Sequence, residues 1–264
     1  MNVKSVVRQS IEGRLRHALE RNEFLLHYQP KVDLESGQIS GVEALIRWRQ
    51  PDGHLVPPSE FVPIAEECGM MVLICRWVLR EACRQARIWQ DAGLFFKRVS
   101  VNFYAPEFRA EGFIAGVRDA LNDSGLAARY LDIELTEGVL MSDPESAVAI
   151  FQELKAMGIH VAVDDFGTGY SSLSYLSQFP IDVLKIDQSS VQQISGNPHD
   201  AAIFSAIIDL GKNLEQSVIA EGIETPEQLA FLKSRHCPEG QGYLFSQPLD
   251  AAQFAIVGQF EIAA

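Results

Sequence analysis

Between residues 98 and 223 the chain repeats one pattern: a short apolar, β-branched run, then in most cases a stretch long enough for a helix. The runs are RVSVNF (98–103), LDIELTE (131–137), HVAVDDF (160–166), VLKID (183–187) and SVIAEGI (217–223). Strands that alternate with helices lie parallel, because each helix carries the chain back to the starting edge. Their apolar middles predict burial on both faces. Upstream, FLLHYQPKV (24–32) and ISGVEALIRW (39–48) read as two more strands. The connection between them is short and contains the turn SGQ (36–38), so this pair is expected to be antiparallel. QGYLFSQPL (241–249) reads as a last strand. Eight strand candidates predict a closed α/β barrel, with an open doubly wound sheet as the alternative.

The 264 residues suit one barrel of this class, typically about 250 residues long. A long helix is expected over roughly 70–92. Another is expected over 5–21, where Val7, Ile11, Leu15 and Leu19 recur at four-residue spacing. Residues 1–21 are read as an N-terminal helix that caps the barrel or continues from an upstream sensory domain, and 22–264 as the barrel itself. A hydrophobic content of 47% supplies a core and excludes a disordered chain, a collagen or a disulfide mini-protein. Cys68, Cys75, Cys83 and Cys237 form no C-x-x-C pair and read as small buried hydrophobes. No run of about 18 apolar residues predicts a membrane span, and the N-terminus lacks the apolar segment of a signal peptide. A reducing cytoplasm is the expected location.

The chemistry gathers at the strand ends. Asn102 closes one run. Glu134 and Glu137 stand on the next, then Asp164 and Asp165, then Lys185 and Asp187, then Glu221 and Glu224. In a β/α barrel all parallel strands end on one face, so these residues converge. Any one acid could be a helix N-cap or an Asx turn; five consecutive units are not explained that way. Clustered carboxylates repel and resist desolvation, so cations must stand among them. One lysine is not enough. Carboxylates plus an Asn amide are the ligand set of magnesium, manganese or calcium, and no paired His or Cys suggests a softer metal. Net charge is −13, from 22 basic and 35 acidic residues. That argues against a nucleic acid polymer or an anionic membrane as partner, but not against a phosphate ligand with cations between. DFG within DDFGTGYSS lacks the other kinase segments, and GTG is too short for a phosphate loop. Gly167 and Gly169 read instead as pivots of a loop beside the metals.

Taken together, HYQP, GVEALIRW with its Glu43-Ala44-Leu45, QPDGHLVPPSEFVPIAE, VNFYAPEF, ELTE, DDFGTGYSSLSYL, FPIDVLKID, VIAEGIET and QGYLFSQPL closely resemble an EAL domain, over roughly residues 12–254. The resemblance implies a modified (β/α)8 TIM-like barrel with one antiparallel strand. It implies a phosphodiesterase that opens cyclic diguanylate (cyclic di-GMP) to linear pGpG with two Mg2+ or Mn2+ ions, Ca2+ inhibiting. The family's metal ligands match Glu43, Asn102, Glu134, Asp164, Asp165 and Glu221, with Asp164 bridging. Its water-orienting lysine matches Lys185, its active-site glutamine Gln241, and its loop-anchoring glutamate Glu137. Gln29 and Arg47 match positions that contact the substrate, and a guanidinium can hold a phosphate in two bonds. A homodimer is implied as well.

Three positions depart from the family pattern: Tyr104 stands where a Ser is usual, Gln188 where an Arg is common, and His236 where a Gly is usual. None is a metal ligand. The alternative reading is a catalytically weak or inactive EAL receptor that captures the dinucleotide. An interaction scaffold that binds no nucleotide is a third. Substituting Glu43 or Lys185 is expected to cost turnover rather than fold. Glu137, three residues beyond Glu134 on one strand end, is expected to face away from the metals. Its targets would be the hydroxyls of Thr168, Ser171 and Ser172 and the N–H groups of Gly167 and Gly169.

Overall fold

The computed structural model describes residues 3–94, 96–167, 176, 178–194 and 198–258. Among them nine strands form one sheet, and eight of these close a ring. β1 (Phe24–Asp33) runs antiparallel to β2 (Ile39–Arg49), with Gln29 opposite Glu43 and Lys31 opposite Gly41. β3 (Leu55–Val56) hangs on β2 outside the ring. From β2 the ring continues in parallel through β4 (Val99–Phe103), β5 (Leu131–Thr136), β6 (His160–Phe166), β7 (Val183–Ile186), β8 (Ser217–Ala220) and β9 (Glu239–Gly240). β9 then pairs antiparallel with β1 and closes it. The expected barrel with one antiparallel strand is what the chain forms.

The last strand differs from expectation. It is Glu239–Gly240, and 241–249 leaves the sheet; Leu249 alone returns, in an isolated bridge to Tyr28. Two residues suffice to close the ring, and the chain then turns away from it. The backbone of Gly242 packs on Ile223 so closely that a Cβ there would lie 2.1 Å from the Ile223 carbonyl oxygen and 2.2 Å from its nitrogen. Backbone cannot yield as a side chain can. Gly242→Ala is therefore expected to cost about 1–3 kcal/mol, as other overpacked sites do. Urea unfolding measures this, and a wild-type midpoint would contradict so close an approach.

The two faces of the ring are chemically unlike. Outward residues such as Val42, Val101, Ile133, Leu135, Val163, Leu184, Ile186 and Val218 join the helices in the main apolar core. Ala162, Val183 and Ile219 form a separate small cluster. Strand alternation puts these three on the inner face, along with Lys31, Ser100, Asp132, Glu134 and Lys185, all of them buried. The expected burial on both faces holds, but the inner face is mostly polar and charged, with apolar residues confined to that small cluster.

The long helix, Met71–Asp91, buries Ile74, Cys75, Val78, Leu79, Ala82, Cys83, Ala86 and Trp89 along one side. All four cysteines are free, with Cys75, Cys83 and Cys237 buried and Cys68 half-buried; burial pushes the Cys83 and Cys237 thiols up to about 12. The N-terminal helix, Val3–Ala18, buries Leu15 and Ala18 and packs Ile11 against the core. Arg14 places its guanidinium 5.6 Å from the centre of the Trp48 ring. The side chain of Val7 is outside the described residues. No helix among the described residues is long and apolar enough to cross a membrane.

Candidate active site

Lys185 points from β7 to the axis of the ring and is fully buried. Its Nζ lies 2.5 Å from Glu134 Oε2, 2.7 Å from Glu221 Oε1, 3.3 Å from Asp164 Oδ1 and 3.6 Å from Glu43 Oε2. Four strands thus deliver four carboxylates to one ammonium. The others sit around them. Asn102 Nδ2 donates to Glu43 Oε1 at 2.6 Å, and Gln241 Nε2 to Glu43 Oε2 at 2.7 Å and to Gln29 Oε1 at 2.9 Å. Gln29 Nε2 in turn donates to the Ser246 carbonyl.

Strand alternation would put Asp164 and Asp165 on opposite faces. A register shift between Val163 and Phe166 prevents that. Asp165 adopts φ 55°, a left-handed conformation uncommon outside glycine and most tolerated by Asn and Asp. The irregularity re-aims the side chain, as bulges near active sites do. Ligand oxygens of Asp164, Asp165 and Glu221 then lie within 4.8 Å of one another. Of the six expected ligands these three crowd together half-buried, while Glu43 and Glu134 are buried and Asn102 is held on Glu43.

Burial raises the Asp164 carboxyl to about 6 although Lys185 opposes it, and burial likewise raises Glu221 well above the usual carboxylate range. Burial would raise Glu134 too, but Lys185 and Lys31 outweigh it and hold that carboxyl at about 2. The Lys185 ammonium also meets a burial penalty, which Asp164, Glu134, Glu221 and Glu43 overcome, so it stays charged.

A cavity of about 420 Å³ opens over the cluster, within the range of small-molecule sites, about 300–1,000 Å³. Arg47, Glu43, Asp164, Glu221, Gln241 and Tyr243 line it. Arg47 is half-buried and spends one nitrogen on the Ile46 carbonyl at 2.9 Å. Glu137 does not extend β5; it is the first residue of a short helix, Glu137–Met141, and is buried. Contrary to expectation, Glu137 does not share a strand with Glu134, and a helical turn rather than strand alternation aims its side chain. Its Oε2 accepts from Gly167 N at 3.4 Å. Thr168, Gly169, Ser171 and Ser172 lie outside the described residues.

The acids Asp187 and Glu224 also reach the cavity wall, but their hydrogen bonds are to near neighbours. Asp187 caps the helix Gln188–Gln193 by accepting from Ser189 N. Glu224 accepts from Gln188 Nε2 at 3.1 Å on the cavity rim. Tyr104 is half-buried and packs against the apolar core. His236 has φ 57°, which accounts for a glycine preference there, and it lines a separate cavity with Asp33 and Pro238.

The sequence reading missed Lys31. Its Nζ lies 2.5 Å from both Ser100 Oγ and Glu134 Oε1. The signal was present: in a strand, Lys31 shares a face with Gln29, two residues back.

Residues 12–248 match the model of the EAL domain. The bifunctional diguanylate cyclase/cyclic di-GMP phosphodiesterase MucR of Pseudomonas aeruginosa is 43% identical over 253 residues, 96% of this chain and 37% of that protein. The cyclic di-GMP phosphodiesterase NbdA of the same organism is 42% identical over 250 residues, 95% of this chain and 32% of that protein. The chain thus spans about a third of the length of these relatives. The solved MucR phosphodiesterase in complex with c-di-GMP aligns with a TM-score of 0.90 at 43% identity, covering 93% of this chain and 99% of that one. The FimX EAL domain from Pseudomonas aeruginosa bound to c-di-GMP aligns at 0.82 with 25% identity, over 90% and 96%.

Proposed function

This chain belongs to the EAL domain family, and from that premise we propose that it is a metal-dependent phosphodiesterase hydrolysing cyclic di-GMP to linear pGpG. The observation that carries the proposal is the convergence of Glu43, Glu134, Asp164 and Glu221 on Lys185 beneath a cavity that Arg47 also lines. A receptor needs the cavity and the arginine; it does not need the cluster of carboxylates that the buried lysine offsets.

The donor set fits hard divalent cations. It is all carboxylate and amide oxygen, and three of the carboxylates already crowd together, half-buried. Glu43, Asn102 and Glu134 would hold one ion and Asp165 and Glu221 the other, with Asp164 shared. When bound, the ions supply Lewis-acid charge to the phosphate and acidify a water. Arg47 would grip a phosphate oxygen from the cavity wall. Lys185 Nζ would orient the attacking water, and Gln241 keeps Glu43 in place by holding its Oε2. Glu137 would steady the backbone just past β6 by accepting from Gly167 N.

Magnesium or manganese is the proposed metal, with calcium supporting binding but little turnover because it tolerates looser geometry. We further propose a cytoplasmic homodimer acting under an upstream sensory domain; the greater length of the relatives is consistent with further domains. The test is incubation of the purified chain with cyclic di-GMP and Mg2+, and then separation of nucleotides. Appearance of pGpG is expected; dinucleotide bound but uncut would favour the receptor.

Glu137→Ala is expected to lower turnover and to raise the metal concentration needed for half-maximal rate by about tenfold, the low end for a supporting residue that touches no ion. Glu137→Gln keeps one acceptor and should be milder. Metal titration of activity checks both, and wild-type curves for both would refute the coupling.

A further inference from the structure

Lys31 is a second buried ammonium with no role in the reaction as proposed. It is 2% exposed, and it does not line the cavity. Lysines usually snorkel to solvent; this one points into the ring. Gly41 stands opposite it in the β1–β2 register, and a Cβ there would touch the Lys31 stem at 3.7 Å. The ammonium meets Ser100 Oγ, which donates onward to Asp132 Oδ2 at 3.2 Å. Its other partner is Glu134 Oε1.

Glu134 is thus divided between two lysines. Oε1 faces Lys31 on the inner side, and Oε2 faces Lys185 on the side where the other carboxylates gather. We infer that Lys31 is a positioning residue: by holding Oε1 it fixes the plane of the Glu134 carboxylate and presents Oε2 alone to the cation site. Glu134 is then a one-oxygen donor to the metal. This rests on the two-cation reading, and a lysine that merely offsets charge would not produce it.

Direct binding of Mn2+, tracked by electron paramagnetic resonance, tests the inference without turnover. Lys31→Met is expected to weaken Mn2+ binding about tenfold or more, the range seen when a partner of a metal ligand is lost. kcat should fall while KM for cyclic di-GMP holds, since Lys31 is not at the cavity wall. In a Glu134→Gln background the same substitution should add nothing, because groups that act through one another are not additive. Unchanged Mn2+ affinity, or a full additional loss in that background, would overturn the inference. Should Lys31→Met not fold, crystals of the wild-type chain grown with Mn2+ give the answer. Oε2 alone should contact the ion, with Oε1 still on Lys31. Both oxygens on the ion, or neither, would overturn it. A wild-type chain that binds no Mn2+ would overturn the two-cation reading itself, and this inference with it.

Discussion

Lys185→Ala is expected to lower the rate of cyclic di-GMP hydrolysis by roughly three orders of magnitude, the scale for losing one preorganised group that acts in the transition state. From the sequence alone such a change should spare the fold. The structure changes that expectation. Lys185 has four carboxylates within 3.6 Å, and removing one partner from a buried ionic group typically costs about 3–5 kcal/mol. The metal-free variant should therefore melt well below wild type. Bound Mg2+ should narrow that gap, since the ions would offset the same charges. Rates measured below the melting point of the variant, beside thermal unfolding with and without Mg2+, separate the two effects. A variant that melts like wild type without metal would refute the neutralising role of Lys185. One that still turns over at a wild-type rate would refute its role in the reaction.

Excess chelator should abolish turnover, and adding back Mg2+ or Mn2+ should restore it. Calcium should restore dinucleotide binding with little product. The motivation is electrostatic: a chain of net charge −13 with several carboxylates at the cavity floor repels a dianionic nucleotide unless cations intervene. Saturating Mg2+ should also raise stability, by about 2.7 kcal/mol at a hundred times its Kd. Full hydrolysis in excess chelator would sink the metal mechanism.

The barrel was legible because its signal is periodic. Short β-branched runs ending in polar or acidic residues marked the parallel strands, and the short link containing the SGQ turn marked the antiparallel one. The convergence of Asn102, Glu134, Asp164, Lys185 and Glu221 followed from strand polarity, whereas Glu43 was legible only through the family resemblance. Other features depend on where the backbone departs from regularity. Asp165 reaches the same face as Asp164 through a register shift that no alternation rule predicts. Glu239–Gly240 closes the ring, not 241–249, because residue content does not reveal where a sheet has already found its last partner. Lys31 escaped notice because a lysine in a strand is ordinarily read as solvent-facing, and only a closed ring turns that face inward.

The split between an oily exterior and a charged interior in the ring has an evolutionary consequence. Folding depends on one set of strand positions and chemistry on the interleaved set. Mutation can therefore explore donors, charges and specificity along the axis while selection on foldability acts elsewhere. Such a scaffold can drift far in sequence with its shape retained, as an aligned domain sharing only a quarter of its residues illustrates. It can also lose its reaction without losing its architecture. In sheets whose inner face is itself the hydrophobic core, those two fates are coupled; here the alternation of the strand separates them.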